Sequence, residues 1–436
     1  MTPAAENPNR RILDLVMELA SGVRHRQETL AAAVLETDPG NIKALQILGR
    51  IRATQEKADV ARRYFERARE FVDLSVLLTR ERKYEEAFVA AERAIESDPV
   101  RAHAQLAGLY SEIGGAQRSM QRHTDLGLAL APDHAQLRMY RAILALGRGD
   151  FPAGWADLKY RAWHQQLAQS CPCPEWKGEP LEDKTLLVIG EEGMGDQVMY
   201  ARFLPVLWKF HPQRILLRPG DALARLFHES FQGIEIVNSQ GEMEGADVDY
   251  WIDTASLGAL GLEDRGTVGM VSPYLRINPE SGRRAARLLA LLSPTSGRLR
   301  VGLVWAGRPE HPQDRNRSLT FQDFAPLLEL EGVDFYSMQF GTAAAENDRI
   351  PDLAGHCLDA YDSAAMMENL DLLISVDTLP VHIAGALGKP VWVLVRNPID
   401  WRWGNPEERN DWYPTVRQFR YQPMEQVAEA LRELTK

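Results

Sequence analysis

TLLVIGEEGMGDQVMYARFLPVLW, residues 185–208, decides the fold of the second half of this chain. TLLVI is apolar at every position rather than at alternate ones, the pattern of a strand buried on both faces of a parallel sheet. Gly190, Gly193 and Gly195 then allow tight turning and close approach of a ligand to backbone. QVMYARFLPVLW follows as an amphipathic helical segment. A strand, a glycine turn and a helix put residues 190–196 at the C-terminal edge of a sheet, where ligands of α/β folds sit.

The same grammar continues outward. RILLRP (214–219), IEIVN (234–238), VGLVWAG (301–307), FYSMQFG (335–341), LLISVD (372–377) and VWVLV (391–395) are short apolar runs separated by helical segments. Two of the strand-to-turn junctions are glycine-rich, IGEEGMGD and VWAGRPEH, and each opens its own set of strands. The pattern predicts two doubly wound α/β domains of the Rossmann-like kind, over 184–297 and 298–436. LLSPTSGRLR (291–300) supplies the linker between them.

Residues 1–165 obey a different rule. They are rich in Ala, Leu, Arg and Glu, with apolar positions at helical spacing. LETDPGN, IESDPVR and LALAPDH place Pro39, Pro99 and Pro132 at similar points in the pattern. KYEEAFVAAERAIESDP (83–99) and GRGDFPAGWADLKYR (147–161) fit the same scheme. Pro99 and Pro132 are 33 apart, close to the tetratricopeptide period of about 34, while the interval from Pro39 to Pro99 is irregular. Small residues such as Ala87, Ala94 and Gly108 let paired helices approach, and stacked pairs leave a face for a partner. The prediction is tetratricopeptide-like helical repeats over 1–165; a generic helical bundle is the plainer reading. Residues 166–183, with CPCPEWKGEP, connect the two halves.

Bulk properties remove several classes. A chain of 436 residues accommodates two to four domains at roughly 100–200 residues each. A net charge of −11 argues against binding nucleic acid through phosphate contacts. Cys171, Cys173 and Cys357 form no disulfide framework and have no second pair at zinc spacing. The opening MTPAAENPNRRILDLV lacks the basic-then-apolar form of a secretory signal, and no apolar run reaches the roughly 18 residues of a membrane span. The expected location is cytoplasmic.

Three constellations could carry chemistry. Asp196, at a helix start after Gly193-Met-Gly195, could accept a proton from an attacking hydroxyl; it also reads as an ordinary N-cap. After Gly307, RPEHPQDRNRS (308–318) offers Arg315 and Arg317 to neutralise a diphosphate; the alternative is a solvated loop of mixed charge. In SVDTLPVHIAGALGKP (375–390), Asp377 or Thr378 caps a helix whose free N–H groups form an anion site. His382 in that helix also reads as a packed, hydrogen-bonding histidine, and no third ligand makes a metal site with Asp377. Asp247-Val-Asp249 has the Asp-x-Asp form of a metal motif but looks like the approach to a domain-edge strand.

Taken together, GEEGMGDQVMYARFLPVL, VGLVWAGRPEHPQDRNRS, LLISVDTLPVHIAGALGKPVWVLV and DWRWGNPEERNDWYPTVRQFRY (400–421) resemble bacterial tetratricopeptide glycosyltransferases. These are similar to the heptosyltransferases of glycosyltransferase family 9 and, more distantly, to the repeat-bearing O-linked N-acetylglucosaminyltransferases of family 41. The likeness covers most of the chain. It implies a GT-B architecture, with a donor-binding C-terminal domain facing an acceptor-presenting N-terminal one. It implies that Asp196 is the general base, following Met194-Gly195 where the family has Leu-Gly. Asp377 and Thr378 match the Asp-Thr that meets the donor, and Gln339 falls where the strand end borders the nucleotide. Gly193, Gly195, Gly307, Arg315 and His382 complete the expected donor-binding set. The family lysine near the diphosphate has no counterpart, and Arg317 takes its place. Leu379-Pro380 stands where Gly-Pro is usual, and Val381-His382 where a small apolar residue precedes His.

The reaction implied is an inverting transfer from a nucleotide sugar to a hydroxyl, with no metal ion and no other cofactor. The repeats point to a protein acceptor presenting Ser or Thr, with a saccharide or lipid-linked acceptor as the alternative; repeat arms of this kind can also pair into oligomers. Two readings of other classes are a non-catalytic repeat scaffold on a degenerate GT-B unit and a sugar-nucleotide epimerase.

Overall fold

The computed structural model describes residues 24–237, 248–260, 272–292, 297–311, 313–396, 400–404, 410–420 and 424–435. Asp247 and the 293–296 part of the expected linker lie outside the described residues. The chain divides into two compact units, Met1–Tyr140 and Arg141–Lys436.

The first unit is helical: α1 (Arg24–Thr37), α2 (Ile42–Thr54), α3 (Ala58–Ala68), α4 (Phe71–Arg80), α5 (Tyr84–Arg93), α6 (Pro99–Ile113) and α7 (Gln117–Leu130), followed by α8 (Ala135–Arg148). Consecutive helices pair, α2 with α3, α4 with α5 and α6 with α7. Ala61, Phe65, Leu74, Leu78, Ala87, Ala91 and Leu106 form one buried cluster across these pairs. Gly108 is required where it stands, because a Cβ there would lie 2.6 Å from the Tyr140 hydroxyl. Pro99 opens α6 directly behind Asp98, whose carboxylate accepts the Arg101 N–H at 3.2 Å. The irregular interval in the sequence has a simple cause. Before α4 the chain turns on Arg69 with φ 53°, and before α5 on Arg82 with φ 59°, so neither turn carries a proline signal.

The second unit begins with α9 (Phe151–Leu158) and α10 (Ala162–Ser170) and continues into two parallel sheets. The first holds β1 (Thr185–Ile189), β2 (Arg214–Arg218), β3 (Ile234–Ile236) and β4 (Tyr250–Asp253) in the order β3-β2-β1-β4. The second holds β5 (Leu299–Val304), β6 (Val333–Ser337), β7 (Leu372–Val376), β8 (Val391–Val395) and β9 (Val416–Arg420) in the order β6-β5-β7-β8-β9. Every pairing is parallel, and β1, β7 and β8 are buried throughout, as their unbroken apolar sequences require. No apolar run announced β9: VRQFR is polar at three of its five positions, as suits an edge strand.

In each sheet the first strand has its successor on one side and a later strand on the other. The direction of winding therefore reverses at β1/β4 and at β5/β7. Those are the points where α/β sheets open a crevice beyond their strand ends. They are followed in sequence by residues 190–196, by 305–307 and by 377–378. No helix among the described residues is long and apolar enough to cross a membrane.

The C-terminal segment folds back onto the first sheet's helix α11 (Met194–Ala201). Arg202, fully buried, donates to the Trp412 carbonyl at 2.7 Å and to the Met199 carbonyl at 2.9 Å. Its guanidinium lies within 5.1 Å of the Tyr274, Trp412 and Tyr413 ring centres. Around it Phe151, Trp155, Tyr200, Phe203, Trp401 and Trp412 form a cluster of edge-on and stacked rings. Replacing Arg202 by Ala leaves two buried carbonyls without a donor and opens a hole among the rings. We expect a loss of about 3 kcal/mol in the urea-unfolding free energy, with the transition of this unit shifted to lower urea.

Candidate active site between the two parallel sheets

The site is built by two strand-to-helix turns that face each other. After β1, Gly193 precedes α11 with extended backbone, and Asp196 lies in the first turn of that helix. After β7, Thr378 precedes α15 (Leu379–Ala386), with α12 (Ala224–Ser230), α13 (Pro279–Leu292) and α14 (Ala360–Glu368) among the helices coming between in the chain. α11 packs against α15, and Gly195 makes the approach feasible. A Cβ at Gly195 would sit 2.8 Å from Cδ2 of His382. His382 cannot retreat: Nδ1 is 3.0 Å from the Tyr413 hydroxyl, and the ring stacks on Trp403 at 5.9 Å. Burial, reinforced by Arg402, holds its pKa well below the ordinary range, so the imidazole is neutral. His382 accordingly packs between the two helices.

Asp196 meets Arg402, whose Nη2 donates to Oδ1 at 2.5 Å. The Asp196 side chain remains 36% exposed, against 13% for Arg402. Surrounding protein pushes the Asp196 pKa upward, Arg402 opposes this and Asp400 adds to it. Asp400 itself grips Arg402 twice: Oδ2 accepts Nη1 at 2.8 Å and Oδ1 accepts the Arg402 N–H at 3.0 Å. Asp377 lies on the other side. Its Oδ2 accepts the Trp403 indole N–H at 2.8 Å, and burial raises its pKa against the pull of Arg402.

Arg317 joins this group and Arg315 does not. Both lie on the single helical turn Asp314–Arg317. Arg317 donates through Nη1 to the Asp377 carbonyl at 3.2 Å and through Nε to Asp314 at 3.3 Å. It passes close over Gly307, where a Cβ would come within 2.5 Å of its Nη2. Arg315 is exposed and makes none of these contacts. His311 stands nearby and feels the Asp196 charge; the Gln313 N–H donates to its Nδ1 at 3.1 Å, which places the proton of the neutral ring on Nε2.

Two expected features take a different form. Gln339 is at the end of β6, but its amide is consumed by backbone. Oε1 accepts from the Trp305 and Ala306 N–H groups at 2.9 Å each, and Nε2 donates to the Ala306 carbonyl at 3.0 Å and the Phe340 carbonyl at 2.7 Å. Through these bonds it shapes the loop after β5. The start of α15 is also poorer in donors than a regular helix. Pro380 has no N–H, and the Val381 N–H returns to the Thr378 carbonyl at 3.1 Å. Thr378 Oγ1 likewise turns inward, to the Val376 carbonyl at 3.2 Å. Of the Asp-x-Asp pair, Asp249 accepts from the Thr185 N–H at 2.8 Å and from Lys184 at 3.0 Å, a strand-pinning role. The three cysteines are free and half-buried.

Sequence reasoning missed Arg402, Asp400, Trp403 and Tyr413 as individual residues. Their signal was the run of charge and aromatic side chains in DWRW (400–403) and, for Tyr413, in DWY (411–413), dense for a loop.

Beneath Asp196 lies a second charged group. Arg161 donates to both Glu191 oxygens, at 3.1 and 2.8 Å, and also to Asp253. His164 Nδ1 is 2.6 Å from Asp253 Oδ2. Two buried carboxylates share one guanidinium, so they cannot both be comfortable as anions. Burial favours the protonated form of each; Arg161 and His164 overcome it for Asp253, which is held below the usual range. For Glu191 burial prevails and its pKa is pushed up to about 7. A carboxyl that holds its proton more tightly when folded contributes no penalty below its unfolded pKa. Its cost grows as pH rises from there through about 7.

No family model matches the chain. Protein FlbA of Caulobacter vibrioides is 27% identical over 339 residues, 69% of this chain and 56% of that protein, so the chain spans little more than half the length of the curated relative. Among solved structures, the ADP-heptose LPS heptosyltransferase II of E. coli is 16% identical with a TM-score of 0.40, over 58% of this chain and 98% of that one. A thermophilic TPR protein of Thermus thermophilus is 21% identical with a TM-score of 0.30, over 38% of this chain and 92% of its own.

Two outcomes are expected. Glu191→Gln should flatten the fall in unfolding free energy between pH 5 and 8 by up to about 3 kcal/mol, measured by denaturant titration across pH. Gly195→Ala should force α11 away from His382 and lower stability by roughly 1–3 kcal/mol by thermal unfolding.

Proposed function

We propose that this chain is an inverting glycosyltransferase of GT-B form that moves a sugar from a nucleotide sugar to a hydroxyl group. The observation that carries the reading is the convergence of Asp196, after β1, with Arg317, after β5, Asp377, after β7, and Arg402, from the C-terminal segment; the first three lie at the two winding-reversal points. The ordered motifs that resemble family 9 fall on those same turns.

In this scheme the acceptor O–H gives its proton to the Asp196 carboxylate as its oxygen bonds to the anomeric carbon. The carbon–oxygen bond to the diphosphate breaks on the opposite face, and the nucleoside diphosphate leaves with the electron pair. A carboxylate with a raised pKa is a better base than an ordinary one. Guanidinium groups at Arg317 and Arg402 neutralise the leaving group. These cations make up for the few N–H donors at the start of α15, and the scheme calls for no metal ion. The acceptor is a protein segment presenting Ser or Thr, held by the helical pairs of the first unit. Stacked helical pairs are suited to gripping extended or helical peptides. A cytoplasmic site of action is consistent with nucleotide sugars as donors.

A thermal-shift panel of nucleotide sugars and nucleoside diphosphates, followed by mass spectrometry of proteins incubated with the stabilising donor, tests the reading. We expect one base to raise the melting temperature and one acceptor to gain a hexose-like mass. Asp196→Asn should lower kcat by about 10²–10⁴-fold while the donor still binds. Activity should fall as pH drops through a limb lying above the ordinary carboxylate range of about 4, because Asp196 must be ionised to act. If no nucleotide sugar or nucleoside diphosphate stabilises the protein, the reading fails.

A further inference from the structure

We propose that Arg402 is a two-partner switch: it holds Asp196 when the donor is absent and passes to the donor's diphosphate when it binds, releasing Asp196 to act as base. The proposal rests on the glycosyltransferase reading above and adds an order of events to it.

The geometry gives Arg402 one fixed end and one exchangeable end. Asp400, two residues earlier, clamps it through Nη1 at 2.8 Å and through the backbone N–H at 3.0 Å. Its carbonyl is held by Asn410 Nδ2 at 3.0 Å, and the neighbouring Trp401 packs in the aromatic cluster, 5.4 Å from Trp412. The backbone is therefore fixed. The contact with Asp196 is a single Nη2 bond to an oxygen of a side chain that is 36% exposed. Among the described residues the buried Nε of Arg402 has no acceptor. A guanidinium donates in a planar fork, and a lone Nη2 contact leaves the Nε side of that fork unspent. A phosphate can engage both at once, which a monodentate carboxylate does not.

The charge balance favours the exchange. Asp196, Asp377 and Asp400 all bear on Arg402, so its single positive charge is oversubscribed. Arg317 reaches the same group through the Asp377 carbonyl. A diphosphate between Arg317 and Arg402 meets two cations, while Asp196 loses the Arg402 hydrogen bond and gains basicity as the acceptor arrives.

Isothermal titration with a nucleoside diphosphate, chosen as the one giving the largest thermal shift, tests the exchange through a double-mutant cycle of Asp196→Asn and Arg402→Ala. In the wild-type background Asp196→Asn removes the competitor and should tighten binding by roughly five- to tenfold. Arg402→Ala should weaken it by about tenfold or more, and in that background Asp196→Asn should no longer tighten it. Arg402→Lys, which keeps the charge but not the fork, should recover less than half of the lost binding free energy. An equal tightening by Asp196→Asn with and without Arg402 would mean simple removal of a negative charge and overturns the proposal. So would unchanged affinity in either single variant. Circular dichroism separates lost binding from misfolding, and the Lys variant keeps the test decisive if the Ala variant does not fold. Should no nucleoside diphosphate bind the wild-type protein, the glycosyltransferase reading itself falls, before the switch comes into question.

Discussion

The absence of a side chain at Gly195 is the constraint on which the site depends. It lets α11, rooted in the first sheet, lie against His382 of α15, rooted in the second. His382 is in turn fixed between Tyr413 and Trp403 and carries no charge. One close approach thus brings two strand-to-helix turns, separated by almost two hundred residues of chain, within reach of a single guanidinium. A protein interior packed at crystal-like density transmits such a contact rather than absorbing it. The Asp196–Arg402 and Asp377–Trp403 bonds follow from that approach.

Electrostatics then gives the turns their character. Carboxylates outnumber guanidinium groups both around Arg402 and, below it, around Arg161. An excess of buried carboxylate cannot stay fully ionised at low cost, so Asp196, Asp377 and Glu191 all hold their protons more tightly than free side chains do. Perturbed carboxyls of this kind gather at functional sites because proton transfer near neutral pH needs them. The lower network has a different use: it bonds Arg161 and His164 to the ends of β1 and β4, which ties α10 and the loop before it to the parallel sheet.

The C-terminal segment supplies what neither sheet has. It carries Asp400, Arg402 and Trp403 into the site, and Trp401, Trp412 and Tyr413 into the packing around Trp155 and Arg202. Rings at edge-on angles, with a guanidinium over their faces, hold position without directional charge pairs. The charged side chains of the site therefore rest on rigid packing, the condition under which a hydrogen bond can be set to a few tenths of an ångström.

The sequence alone determined the kind of elements and their order. Unbroken apolar runs such as TLLVI and LLISV can satisfy their backbone and bury both faces only inside a parallel sheet, and Ala-rich segments with helical spacing can pack only as paired helices. It also located the turns bearing Asp196, Arg317 and Asp377, since glycine and N-capping residues mark them locally. Other features left little local trace: β9, whose mostly polar residues hide it, and the turns at Arg69 and Arg82, which adopt left-handed backbone without glycine. What only the tertiary structure decided was the pairing of side chains: that Arg402 meets Asp196, that Gln339 is spent on backbone, that His382 packs and that Arg315 stays outside. Those outcomes depend on distances between residues far apart in the chain, and no spacing along a sequence encodes which buried charge will find which partner.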